Sequence, residues 1–524
     1  MSGQGDFERR IGRRGFIFNA AAGAVAISGL AAPATHATGR HGGRSQLTSG
    51  VQSGDVTSRG AVVWGRADRR AEMYVEVSPT ESFRRSRLVR GPLATEATDF
   101  TAQVELDFLP PADEFHYRVA WAEPGRPRML GEAEVGRFHT APSRGAQRDV
   151  HFVWGGDTAG QGWGINPDFG GMPMYETMRR RQPDFFLHSG DMIYADGPIL
   201  PEVTLPDGSV WRNVTIEEKS KVAETLAEFR GNHRYNLLDD NVRRFNAEVA
   251  NIAQWDDHEV TNNWYPGEVL DDPRYVVRDV NLLAARGNQA FHEYWPIREH
   301  RREPGRVYRR IAYGPSLDLF VIDMRTYRGP NTANDQSKPG QDTAILGRTQ
   351  LDWLKDRLER SRATWKVIAS DMPIGLVVRD GPAAFEAVAQ GDGPALGREL
   401  EIAELLRHIK HAGIRNTVWL TPDVHFCAAH FYDPNQAQYQ DFDPFWEFVS
   451  GPLHAGSFPP NALDNTFGPQ VRFVKGPSSR NQPPSAGLQF AGEVQIDGAG
   501  EEMAVRLFDL AGDVLYEVGL SPQA

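Results

Sequence analysis

Four short blocks of the chain join the end of an apolar run to side chains that bind metals: Gly155-Gly156-Asp157-Thr158, Ser189-Gly190-Asp191-Met192-Ile193-Tyr194, Trp255-Asp256-Asp257-His258-Glu259 and Thr421-Pro422-Asp423-Val424-His425. Carboxylate, phenol and imidazole groups are ligands for hard and borderline cations, and these loops offer more of them than one closed structural site takes. The chemistry they suit is that of two neighbouring cations. No single block carries this reading; four in this order do.

Asp191 follows an apolar run and a glycine, so the backbone can turn sharply there and present a carboxylate that bridges two cations. Tyr194 offers a phenolate, a hard anionic oxygen suited to a ferric ion; its alternative is ordinary core packing. The run Asp256-Asp257-His258-Glu259 holds more polar groups than a turn needs for solvation. One of its carboxylates reads as a ligand, and His258 as a proton donor or a positive charge beside the reacting group. The competing reading is a solvated acidic loop. Asp423 and His425, one residue apart, point to the same side of an extended segment, which suits one ligand for each of two cations. Asp157, with Thr158 and Gln161 nearby, is the least specific of the set, because Asp in a Gly-rich loop is usually a turn former.

Two kinds of element must position these groups. From Leu47 to about Pro142, short alternating runs such as Ala61–Trp64, Met73–Val77, Ala102–Leu106 and His116–Trp121 predict a small antiparallel sandwich. After the linker Thr140–Gly145 the rhythm becomes strand, loop, helix. Buried strands are expected at Val150–Trp154, Asp184–His188, Asn251–Trp255, Leu317–Asp323, Trp365–Ser370 and Thr417–Leu420, with helices at Met174–Arg181 and Gln350–Arg360. Alternating βα units with chemistry at strand ends predict an α/β domain. Ile199–Arg244, with a polar helical stretch at Ile216–Phe229, reads either as a wall of the pocket or as a surface excursion. The tail from Leu488 to Val518 reads as two or more strands turned at Asp497–Gly500.

Together these blocks resemble the alkaline phosphatase D (PhoD-like) family of calcineurin-like metallophosphoesterases. Leu47–Asp55 and Val62-Val63-Trp64 resemble the opening of that family's β-sandwich, and the likeness continues to the C-terminal strands. It implies a four-layer α/β/β/α metallophosphoesterase sandwich over residues 148–524, preceded by a small antiparallel β-sandwich over 47–142. It further implies hydrolysis of phosphate monoesters or diesters by a metal-bound hydroxide, with iron (Fe3+) and calcium as cofactors. By motif, Asp191 would bridge the metals, Tyr194 would bind iron, Asp257 would stand where relatives place a metal-binding Asn, and His258 would be the catalytic imidazole. Asp423 and His425 match the last ligand pair, Asp157 the first ligand, and Asn262 or Asn263 would touch metal or phosphate. One departure stands out: well-known members place a cysteine where this chain has Asp157, and Cys427 lies in the wrong block to replace it. A carboxylate is also a hard anion, which keeps an iron site and admits manganese or zinc. The stretch Gly160–Gly164 is similar to that of phospholipase D-type enzymes, and Trp163, Phe169 and Trp264 either line an apolar wall or belong to the core.

The 524-residue chain carries a formal net charge of -12, with the excess acid dispersed, which argues against a nucleic-acid scaffold role. Residues 1–37 read as a twin-arginine signal peptide: Arg13-Arg14-Gly15-Phe16-Ile17, the apolar stretch Phe18–Ala32, then small residues for cleavage. That stretch falls short of the ~20 residues a membrane span needs. The twin-arginine export machinery is thus an expected partner, the destination periplasmic or extracellular, and no transmembrane segment is expected. With one cysteine, Cys427, the exported chain must be stable without an internal disulfide. Two rivals remain. A secreted, metal-stabilised phosphate- or glycan-binding module would release no phosphate from an ester, and a zinc amidohydrolase or lactonase needs a His-x-His pair that His430 and His454 do not make.

Overall fold

Five-residue apolar strands recur at the predicted positions, and they are buried on both faces. In Leu317–Val321, Leu317, Leu319 and Val321 face one core while Phe320 faces another. Such near-continuous runs are what parallel strands covered on both sides require. The parallel neighbours Trp365–Ala369 and Thr417–Thr421 divide likewise, with Val367, Ala369, Val418 and Leu420 on one side and Ile368 and Trp419 on the other. The computed structural model describes residues 47–126, 131–205 and 207–523, so the twin-arginine segment lies outside the described residues.

These strands belong to a mixed sheet of seven. A second sheet of nine has Val150–Gly155, Phe185–Ser189 and Ala250–Gln254 parallel at its centre. Phe152, Trp154, Leu187 and Ile252 from its inner face share one core with Leu319, Val367 and Leu420, so the sheets pack face to face. Helices Pro173–Arg179 and Asp240–Glu248 cover the outer face of the nine-stranded sheet through Met174, Met178, Val242 and Phe245. Helices Gly347–Glu359 and Glu399–His411 cover the other, with Leu351, Leu354 and Leu358 on one face as their spacing predicts. The result is the expected α/β/β/α sandwich.

The N-terminal region is antiparallel. Arg87–Ala94, Ala71–Ser78, Glu114–Ala122 and Glu134–His139 form a four-stranded sheet whose Val75, Val119 and Trp121 pack with Val51, Val63 and Val104 of Leu47–Thr57, Gly60–Ala67 and Thr101–Leu106. The latter three strands also run on into the nine-stranded sheet, because Leu47–Thr57 pairs in parallel with Ala250–Gln254 at Gly54↔Asn251. A Cβ on Gly54 would stand 2.5 Å from the Asn251 carbonyl oxygen, so only glycine permits this junction.

One expectation shifts, and the reading of the tail holds. The helix predicted over Ile216–Phe229 is found at Leu226–Asn236, capped by Thr225 and Glu228 in a reciprocal box, with only a short 3-10 turn at Glu217–Lys219 before it. The tail forms three strands, Phe490–Ile496, Met503–Asp509 and Val514–Leu520. The 199–244 segment packs inward at several points: Asn236 Nδ2 donates to the Met192 carbonyl at 2.5 Å, and the buried Lys219 ammonium donates to the Tyr194 carbonyl at 2.9 Å and to Asn232 Oδ1 at 2.7 Å.

Candidate metal centre

Every candidate block leaves the C-terminal end of a parallel strand, the place where α/β sheets hold ligands. Asp157, Asp191 and Asp257 follow the three central strands of the nine-stranded sheet; Asp423 and His425 follow Thr417–Thr421 of the seven-stranded sheet. The backbone turns hard at these ends. Asp157 (φ 68°), Asp191 (51°), Asp423 (70°) and His425 (59°) are all left-handed, a conformation that non-glycine residues adopt at a cost and that gathers at functional sites. The extended backbone expected at Asp423–His425 is therefore absent: both residues are left-handed, and their side chains join different ligand groups. Gly190, at φ 116°, lets the second and third blocks touch, since a Cβ there would lie 2.5 Å from Asp256 Cβ.

Three groups of potential ligands result: Asp157, Asp191 and His425; Asp191, Asp257 and His258; Asp256, Asp257 and Asp423. Within each, one donor atom per residue lies within 4.8 Å of the others. Tyr194 joins the first group, its hydroxyl 2.8 Å from His425 Nε2 and its ring 4.2 Å from that of His258. His258 is held from behind, with Nδ1 2.7 Å from Asp196 Oδ1, and its backbone N–H donates to Asp191 Oδ1 at 3.2 Å. Glu259 ties the loops together. Its two oxygens accept from the backbone N–H groups of Asp191 (3.2 Å), Met192 (2.5 Å), Ile193 (3.3 Å) and Asp256 (2.6 Å).

The electrostatics describe a pocket built for added positive charge. Burial pushes the carboxyls of Asp157, Asp191, Asp256 and Asp423 well above the usual range, and neighbouring carboxylates push the same way. Burial also opposes charge on Asp257 and His258, but they answer each other. His258 and Arg325 hold Asp257 down to about 2, while Asp196 and Asp257 lift His258 to about 10. Burial lowers His425 to about 3, leaving a neutral imidazole with a lone pair to give. Both oxygens of the fully buried Asp157 lack a hydrogen-bond partner, as do Asp256 Oδ2 and Asp257 Oδ1. Unpaired anionic oxygens facing one another out of water are costly unless a cation joins them, so these residues fit a metal centre.

Asn262 is exposed, and its backbone N–H donates to Asp196 Oδ2 at 3.0 Å; it is Asn263 whose backbone N–H reaches Asp257 Oδ2, at 2.5 Å. Trp163 and Trp264 are buried, packed against Trp211 and Trp255, and Phe169 packs on Trp211. Sequence reasoning missed Arg325, a fully buried guanidinium. It lies 2.6 Å from Asp256, 2.5 Å from Glu386, 3.7 Å from Asp371, 3.9 Å from Asp257 and 4.0 Å from Asp423. Arg325 and Asp371 follow predicted buried strands and obey the same strand-end rule as Asp191. Asp196 and Glu386 carry no such signal.

The PhoD-like phosphatase profile matches residues 152–507, and the PhoD-like phosphatase N-terminal domain matches residues 31–142. Alkaline phosphatase D of Bacillus subtilis (strain 168) is 28% identical over 401 residues, covering 72% of this chain; the chain spans 64% of that relative's length. Among solved structures, PhoD superposes with a TM-score of 0.66 at 22% identity, over 91% of this chain and 89% of that one. Purple acid phosphatase PPD1 from yellow lupin (Lupinus luteus) seeds superposes with a TM-score of 0.56 at 12% identity, over 90% and 73% of the two chains. Both likenesses are of fold.

Proposed function

Because the chain belongs to the PhoD-like phosphatase family, we propose that it is an exported, metal-dependent phosphoric ester hydrolase whose cations are held by Asp157, Asp191, Tyr194, Asp257, Asp423 and His425. The observation that carries this reading is the sharing of ligands: Asp191 and Asp257 each stand in two of the three groups, as adjoining cations on common carboxylates require. Bound cations supply Lewis acidity toward the phosphoryl oxygens and toward an attacking water. The donors are hard oxygens with one neutral imidazole, which suits a ferric ion with calcium beside it; manganese and zinc accept the same donors. Asn262 stays outside the proposed set, and Asn263 orients Asp257 through its backbone.

His258 is the proposed catalytic residue. As an imidazolium it donates Nδ1–H to Asp196 and keeps Nε2–H on the side of the ligand groups, 4.0 Å from Asp257 Oδ1. From there it donates to the leaving oxygen or to a phosphoryl oxygen as charge builds. Arg325, beneath the pocket, offsets the charge of Asp256, Asp371 and Glu386 and so keeps Asp257 and Asp423 in place.

Export rests on the pattern of residues 1–37; among the described residues no helix is long and apolar enough to cross a membrane. A paired Arg13→Lys and Arg14→Lys change should leave unprocessed chain in the cytoplasm. The activity is tested by phosphate release from an aryl phosphate monoester and by cleavage of the matching diester, lost on chelation and restored by added cation, with elemental analysis of the purified chain. No turnover with iron, calcium, manganese or zinc would overturn the reading in favour of a binding module.

A further inference from the structure

One cation stands a single aromatic ring away from a candidate ligand and has no anionic partner among the described residues. Arg480 is exposed and makes no salt bridge or side-chain hydrogen bond among the described residues. Its guanidinium carbon lies 5.2 Å from the centroid of the Phe458 ring, and that ring meets the His425 imidazole edge-on at 5.1 Å. The ledge that carries it is fixed on several sides. Ser457 and Gln482 exchange backbone hydrogen bonds of 3.0 Å in both directions. Asn481, left-handed at φ 54°, accepts from Trp163 Nε1 at 2.7 Å and donates to the Gln161 carbonyl at 3.4 Å. The Phe458 N–H donates to the His425 carbonyl at 3.0 Å, and the Gly456 carbonyl lies against His425 Nδ1.

A guanidinium resting on an aromatic face keeps its N–H edge available and loses little freedom when an oxyanion docks there. The placement is unusual for this chain, whose net charge is -12 and whose site residues, Arg325 aside, are mostly acidic. The scissile phosphate already has the cations and His258 as its counter-charges. Resting on the phosphoesterase reading, we propose that Arg480 is a specificity-determining residue that binds a second oxyanion, phosphate or carboxylate, carried by the substrate beyond the scissile phosphate. The preferred substrates are then esters with at least two anionic groups.

A matched pair of esters tests this: propyl phosphate, with one anionic group, and propane-1,3-diol bisphosphate, with two, followed by release of inorganic phosphate from the metal-loaded chain. Arg480→Gln should raise KM for the bisphosphate about tenfold, the worth of one exposed charge-assisted contact, while kcat and both constants for propyl phosphate stay within about twofold. Arg480→Lys should recover part of the loss, since it keeps the charge and loses the planar fork. Inhibition adds a readout independent of turnover: pyrophosphate should lose potency against Arg480→Gln while phosphate does not. If the wild-type chain hydrolyses both esters and the variant changes neither, or both alike, the assignment of Arg480 is overturned and the phosphoesterase reading stands. If the wild-type chain hydrolyses neither of these esters nor the aryl monoester and its diester with any of the four cations, both fall together.

Discussion

Replacing Glu259 by glutamine tests whether one buried carboxylate locks two ligand loops in register. Oε1 accepts from Met192 and Ile193, and Oε2 from Asp191 and Asp256. Glutamine keeps one oxygen and turns the other into a donor, so two of the four N–H groups lose their acceptor and face an NH2 group at a side chain fully buried from solvent. At about 1–3 kcal/mol for each unsatisfied buried donor, the loss is about 2–6 kcal/mol. That is a large part of the roughly 5–15 kcal/mol that holds a typical domain folded. The damage should fall first on the pocket, because these N–H groups set the turn at Asp191 and the start of the Asp256-Asp257 loop. Urea unfolding with metal analysis on the same samples reads both effects: a lower midpoint at unchanged slope, and a cation content reduced by more than half. Glu259→Asp, which keeps both acceptors at shorter reach, should lie between. A glutamine variant within ~0.5 kcal/mol of wild type and fully metal-loaded would refute the reasoning.

Asp196→Asn removes the leading influence that lifts His258 to about 10 against its burial. The imidazolium then loses its proton at lower pH, so the alkaline limb of the kcat/KM profile should move down; an unmoved limb separates His258 from proton transfer. Gly190→Ala should cost on the order of 2–3 kcal/mol from backbone strain and the clash with Asp256, seen as poor soluble yield and weak metal retention, and normal loading would contradict the close approach. Far from the site, burial opposes charge on Glu493, yet His151 and Arg181 hold it down to about 2 from 4.5. Its stabilisation, on the order of 2–3 kcal/mol, is present above pH 4.5 and lost as pH falls toward 2. Glu493→Gln should therefore flatten the acid limb of stability measured by urea titration, and an unchanged limb would place the loss elsewhere.

The central strands were legible because burial on both faces demands unbroken apolar runs, and the candidate ligands because polar groups right after such a run have few other uses. Arg325 and Asp371 obey the same rule, yet an arginine does not read as part of a cation site until its five carboxylate neighbours are seen. The helix at Leu226–Asn236 carried a start signal that the reading of a polar helical stretch from Ile216 passed over: Thr225-Leu226-Ala227-Glu228 is a capping box. Other features are tertiary. The single parallel bridge of Gly54 to Asn251 joins segments far apart in the chain, and Asp196 acquires its task only because a fold brings it behind His258.

The first ligand group draws Asp157 and Asp191 from one sheet and His425 from the other. A cation gripped there is a cross-link across the seam of the sandwich, closing a loop of roughly 270 residues and removing that much freedom from the unfolded chain, as a disulfide would. Cys427, alone in the sequence and buried within the strand Cys427–Tyr432, offers no covalent equivalent. On the proposed metal-centre reading, coordination would supply the long-range fastening that a lone thiol cannot, and it would do so without any oxidant.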